Sequence, residues 1–165
     1  MSISFRWGII ALVALITSFT ARYSMFNPLD PSKSLPYLIV GLFALFASII
    51  ISLVLNRRAT PAEFDAKKGL QEGMKTALLA LILYSIYSFI YLSYLNPTVI
   101  ESLIAARITE ITNSAMDAGQ QSETINALKT QVTPFKEVTS KLLILLSIAM
   151  SSTLFGTIIV KRFPI

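Results

Sequence analysis

The chain has no cysteine and no histidine, and in 165 residues it carries one tryptophan and six glycines. The missing thiols exclude disulfides and thiolate nucleophiles, and the missing imidazoles remove the side chain that titrates nearest neutral pH. Zinc, haem and iron–sulfur centres lose their usual ligands with them. No Walker loop, dinucleotide fingerprint or Gly-x-Ser-x-Gly elbow is present either. No cofactor or metal is therefore expected, and the chain reads as a protein that is not an enzyme. Charge is scarce as well, with fourteen basic and nine acidic residues making up 14% of the chain. None of them falls within 7–21, 34–56, 76–100 or 142–160.

Those four charge-free stretches are the main positive signal. A helix of about 20 apolar residues crosses a hydrocarbon core of about 30 Å, and the chain as a whole is 54% hydrophobic with mean hydropathy +0.67. The expected fold is all-α: an integral membrane four-helix bundle with spans at about 4–25, 35–55, 76–95 and 142–160, forming a single membrane domain over 1–165. The first stretch leaves 15 residues between Arg6 and Arg22, so a signal peptide is the alternative there. Bulky Phe19, three residues from the only small-residue cut after Ala21, argues against it.

The formal charge of +5 fits membrane topology better than nucleic acid, which is not an expected partner. With the N-terminus cytosolic, one face holds Arg6 and the inner-surface basic residues Arg57, Arg58, Lys67, Lys68, Lys75, Lys161 and Arg162, against Glu63, Asp65 and Glu72. The other face balances its basic and acidic residues. The excess of Lys and Arg predicts both termini inside, in a multi-pass protein of a bacterial cytoplasmic membrane.

Local signals divide the connections. From Phe26 to Pro36, Asn27-Pro28, Asp30-Pro31 and Ser32 favour turns over any regular element, predicting a short outer loop between the first two spans. Thr60-Pro61-Ala62-Glu63 has the pattern of a capping box, predicting a helix of about 35 residues from Pro61 to Leu95 whose part over 61–75 is an inner extension. Asn96-Pro97 ends it, and Thr98 with Glu101 reads as a second box. Beyond lie Ile100, Ile104, Ile108, Ile111 and Ala115 at helical spacing, then Gly119 as a stop, then Ile125, Leu128 and Val132. This predicts an extracytoplasmic helical hairpin over 98–133 between spans three and four. Thr133-Pro134 would start the last helix.

Inside the membrane, the third span carries a stripe at spacings of three and four: Gly69, Gly73, Ala77, Ala80, Tyr84, Tyr87, Tyr91 and Tyr94. Its small part invites close packing. Tyr84 and Tyr87 fall near the midplane and need partners for their hydroxyls, as Tyr91 and Tyr94 near the surface do not. At matching depth the fourth span has Ser147, Ser151, Ser152 and Thr153, while Ser85 and Ser88 add hydroxyls from the third. The expectation is an interhelical polar band between these two spans, either holding the bundle together or receiving a lipid headgroup or small substrate. Ala44, Ser48 and Ser52 form a second packing stripe on span two.

From Thr60 onward the sequence resembles an uncharacterised family of small bacterial inner-membrane proteins, a domain of unknown function. The likeness rests on Phe64-Asp65-Ala66-Lys67-Lys68-Gly69 before the third span, on Tyr-Leu-Ser-Tyr-Leu-Asn-Pro-Thr-Val-Ile-Glu from Tyr91 to Glu101, and on the helical segment and apolar span that follow. It implies four spans and no known activity, and it hints at assistance to a membrane-linked glycosyltransferase. Beyond the lipid bilayer, a membrane-protein partner or a homo-oligomer is expected. The leading expectation is a non-enzymatic subunit, accessory or scaffold of a larger cell-envelope complex; the alternative is a small transporter or lipid-handling protein that uses the polar band.

Overall fold

Apolar stretches of this length have one way to satisfy their backbone groups in lipid, the helix. The computed structural model describes residues 1–25, 31–114 and 116–162, and among these no strand occurs. Four long helices dominate: α1 (Ile3–Met25), α2 (Pro31–Ala59), α3 (Ala66–Ile90), continued by a π-helical turn over Tyr91–Leu95, and the fourth, α6, over Pro134–Arg162. Between them in the chain lie the shorter α4 (Thr98–Thr112) and α5 (Ala118–Gln131). All four long helices are long and apolar enough to cross a membrane. This is the architecture of a multi-pass membrane protein.

Packing runs in a ring, α1 on α2, α2 on α6, α6 on α3 and α3 on α1, with α2 and α3 also touching across the middle. The interior is built from Leu45, Ile49, Leu53, Ala77, Ala80, Leu81, Leu145 and Ala149. The outward faces are equally apolar, with Phe43, Ile82, Leu143 and Ile158 each more than half exposed. In water such a surface would drive aggregation, whereas in lipid it is the expected boundary.

Element ends differ from expectation in three places. Thr60 makes no side-chain cap; Pro61–Glu63 form a single 3₁₀ turn, and Asp65 caps α3 by accepting from Lys68 N at 2.7 Å. The carboxylate reaches the first free N–H groups better from there, so the continuous helix from Pro61 is replaced by a turn and a fresh start. At the second expected box, Pro97 occupies the cap position and Thr98 Oγ1 donates back to Asn96 Oδ1 at 2.6 Å. Gly119 does not stop α4, which ends at Thr112; it lies in the first turn of α5, capped by Asp117, which accepts from Gln120 N at 2.9 Å. Pro36 lies inside α2, which begins at Pro31. The short loop expected over 26–36 is thus helical from Pro31 onward, while its part at 26–30, and Ala115 in the amphipathic pattern, lie outside the described residues.

Ile3 and Arg162 fall at one end of the bundle, termed here the terminal end; α4 and α5 attach at the opposite end. The two helices touch each other, and Gln121 Nε2 donates to the carbonyl of Met116 at 3.1 Å in the connection between them.

Candidate functional site

Polar groups collect at both ends of the bundle. At the terminal end they form a connected network across three helices. Ser4 Oγ of α1 donates to Glu72 Oε2 of α3 at 2.5 Å and accepts from Asn56 Nδ2 of α2 at 3.0 Å. Asn56 also donates to the carbonyl of Ser52 at 2.8 Å, and Thr76 Oγ1 donates to Ser52 Oγ at 2.9 Å. Glu72 pairs on its exposed side with Lys75 at 2.6 Å. Every partner here is satisfied, so the network fixes the three helices against one another and leaves little unspent hydrogen-bonding capacity for a ligand.

The small residues of α3 face α6. A Cβ on Gly73 would lie 2.5 Å from Thr153 Cγ2, and one on Gly69 would lie 2.6 Å from Thr157 Cγ2. Only glycine lets α6 approach this closely. Ala77 is fully buried, as is Ser52 on α2; Ser48 is buried and Ala44 partly so. The basic residues expected at the inner surface cluster around this same end. Lys68 binds Glu63 at 2.6 Å, and that hydrogen bond and charge hold the Glu63 carboxyl below the usual carboxylate range. Arg58, Lys67, Lys161 and Arg162 are exposed, Lys75 is held by Glu72, and Arg57 is partly buried.

The expected polar band between spans three and four does not form as one surface. The tyrosines of α3 bond to α1: Tyr87 Oη lies 2.7 Å from Thr20 Oγ1, and Tyr91 Oη lies 2.6 Å from Ser24 Oγ and accepts from Asn96 Nδ2 at 3.2 Å. Phe19 of α1 sits among Tyr84, Tyr87 and Tyr91, meeting each edge-on at centroid distances of 5.6, 6.2 and 5.4 Å. Meanwhile Ser147 and Ser151 are exposed and donate to carbonyls of their own helix, at 2.9 Å each. Ser85 and Ser152 do the same at 2.7 Å each. Ser88 Oγ and Thr153 Oγ1 are buried without a hydrogen-bond partner. The stripe on α3 is one face, with Gly69 and Tyr87 about five full turns apart, but it meets α6 at the glycines and α1 at the tyrosines.

Tyr84 has a second role, as the floor of a crevice. Near α6's start, a cavity of about 220 Å³ lies among α1, α2 and α6 over α3. Its walls are apolar (Leu15, Phe19, Leu38, Leu42, Ile144 and Leu145), broken by Ser18, Tyr37 and the two cations Arg22 and Lys141. Both cations lie over the ring of Tyr23, with Arg22 Cζ 5.4 Å and Lys141 Nζ 4.9 Å from its centroid. Lys141 also donates to the Tyr23 hydroxyl and pairs with Glu137 at 2.5 Å. Arg22 Nε is buried and has no hydrogen-bond partner.

In the sequence, Arg22 and Lys141 are only charges that flank the stretches 7–21 and 142–160. The signal that marks their site is the four-residue repeat Ala11, Leu15, Phe19, Tyr23, every member of which is buried. It aims the aromatic end of α1 at the tyrosines of α3. Likewise Glu72 with Thr76, and Ser48 with Ser52 and Asn56, recur at four-residue spacing and prefigure the network at the terminal end.

A family model described as "Protein of unknown function (DUF4199)" matches residues 6–162. No curated protein and no solved structure gives a match.

Proposed function

We propose, since the chain belongs to the DUF4199 family of proteins of unknown function, that it is a non-enzymatic subunit, accessory or scaffold of a larger complex in the bacterial cytoplasmic membrane. The observation that carries this reading is the mismatch between pattern and burial in α4 and α5. Both repeat apolar residues at helical spacing, yet α5 buries none of its residues and α4 only Val99 and Ile100. An amphipathic pair whose apolar residues, Ile108, Ile125 and Leu128 among them, its own bundle covers only in part is suited to docking. In this reading α4 and α5 form an extracytoplasmic hairpin, both termini are cytoplasmic, and the basic residues of the terminal end meet the anionic inner surface.

Purification of the tagged full chain in mild detergent tests it. The expected result is a stoichiometric membrane-protein partner, or a second copy of the chain, that is released by Ile125→Ser with Leu128→Ser at unchanged helical content. A monomer with no partner across several detergents would overturn it. Single cysteines at Ala59 and Gln121 report the orientation: an impermeant reagent on intact cells should label Gln121→Cys and not Ala59→Cys. The alternative reading, a transporter or lipid-handling protein assisting a membrane-linked glycosyltransferase through a band shared by the third and fourth spans, draws less support. Of that band's hydroxyls, Tyr87 bonds to α1, while Ser85, Ser147, Ser151 and Ser152 bond to carbonyls of their own helices.

A further inference from the structure

The crevice over Tyr84 combines three properties that a packing defect need not share. It is too small for a whole drug-sized ligand, which needs upwards of about 300 Å³, but it takes a stretch of alkyl chain. Its rim is open sideways to lipid, since Ile144 is 61% and Leu38 40% exposed. Cations stand at the end nearest α4 and α5, within a turn or two of the helix ends, where a headgroup would lie.

The cations are arranged for an anion. Arg22 presents a guanidinium whose Nε is buried without a partner, a donor that a phosphate oxygen would satisfy in forked geometry. Lys141 has three N–H donors; the Tyr23 hydroxyl and Glu137 account for two, leaving one for a ligand. The Tyr23 ring beneath both holds them in place. Among the described residues Glu137 is the opposing charge, so two cations meet one carboxylate there.

We propose that this crevice binds an anionic phospholipid of the leaflet at the α4/α5 end, one acyl chain lying against Leu15, Leu38 and Ile144 and the headgroup phosphate on Arg22 and Lys141. The site does not depend on any protein partner. It uses the α2–α6 gap, not the hydroxyls of α6. Further along, the two helices are in close contact, and a Cβ on Gly156 would lie 2.4 Å from Ile50 Cδ1.

The test uses the purified full chain in a neutral detergent, titrated with phosphatidylglycerol, phosphatidylcholine or inorganic phosphate, and read by native mass spectrometry and thermal midpoint. Phosphatidylglycerol should bind one per chain, about tenfold tighter than phosphatidylcholine, as charge-assisted contacts to a phosphate with net negative charge require. The pair R22Q and K141Q should erase that preference, and Leu38→Trp, which fills the crevice from its exposed lip, should weaken both lipids. Should the double variant fail to fold, salt decides with the unaltered chain: added sodium chloride should weaken phosphatidylglycerol more than phosphatidylcholine. Equal affinity for the two lipids, or a preference untouched by salt or by the double variant, overturns the site. A midpoint shift from inorganic phosphate alone that matches the lipid's would overturn the lipid and assign the cations to free phosphate.

Discussion

The two ends of the bundle solve opposite problems with the same helices. At the terminal end, Gly69, Gly73 and Gly156 let α6 press against α3 and α2, and Ser4, Ser52, Asn56, Glu72 and Thr76 bond α1, α2 and α3 to one another. At the end that carries α4 and α5, the small residues give way to Phe19, Tyr23, Tyr84, Tyr87 and Tyr91. Their rings bring α1 and α3 together edge to face, and a cavity stays open beside them. Packing this close leaves no room for a ligand, even where Thr153 Oγ1 and Thr157 Oγ1 stay without a hydrogen-bond partner. Bulky aromatics, which cannot tile a four-helix junction as glycines can, leave a crevice and put cations at its mouth. The candidate site thus lies where the packing is coarser.

The sharpest way to break this comparison is to loosen the tight end. Gly73→Leu drives a side chain into Thr153 and should cost about 3 kcal/mol of stability in detergent–SDS unfolding, the upper range for overpacking. A change no larger than that of Gly119→Ala, whose Cβ would meet only Asp117 Oδ1 at 3.3 Å, would mean that the two ends pack alike. Next, Glu72→Ala removes the acceptor of Ser4 and Lys75. The expected loss is about 1–2 kcal/mol in the same assay, in line with hydrogen bonds to a charged group.

Smaller effects sharpen the aromatic end. A double-mutant cycle of Thr20→Val with Tyr87→Phe should give a coupling of about 0.6 kcal/mol, typical of interhelical hydroxyl bonds in membranes. Zero coupling there, with coupling instead between Tyr87 and Ser151, would restore the band between α3 and α6. Least of all, Ser151→Ala should fall within about 0.5 kcal/mol of the unaltered chain, because the hydroxyl is exposed and bonded to its own helix.

Spans were legible because hydropathy is a sum along the chain, insensitive to which face of each helix points inward. Thr133-Pro134 was also legible as a start, since proline at a first helical position has few other places to go. Thr60 and Thr98 were not, because a capping box describes what a side chain can reach, while Asp65 and Asn96 compete for the same groups in three dimensions. The tyrosine stripe was seen, but its partner was misassigned. Spacing on one helix gives a face, and says nothing of which neighbour that face meets. Arg22 and Lys141, 119 positions apart in the sequence, carry no local sign of meeting over Tyr23.

The sequence by itself determined that this is an all-helical chain with four membrane-length spans, because the cost of burying charge and unpaired backbone in lipid acts on each segment alone. Tertiary structure decided which polar groups would be neighbours. That choice depends on the rotation of each helix about its axis, which is set by where glycines permit contact and where aromatic rings forbid it. Only with those rotations fixed do the serines of α6 turn outward, the tyrosines of α3 turn to α1, and two cations flanking the spans become the mouth of a crevice.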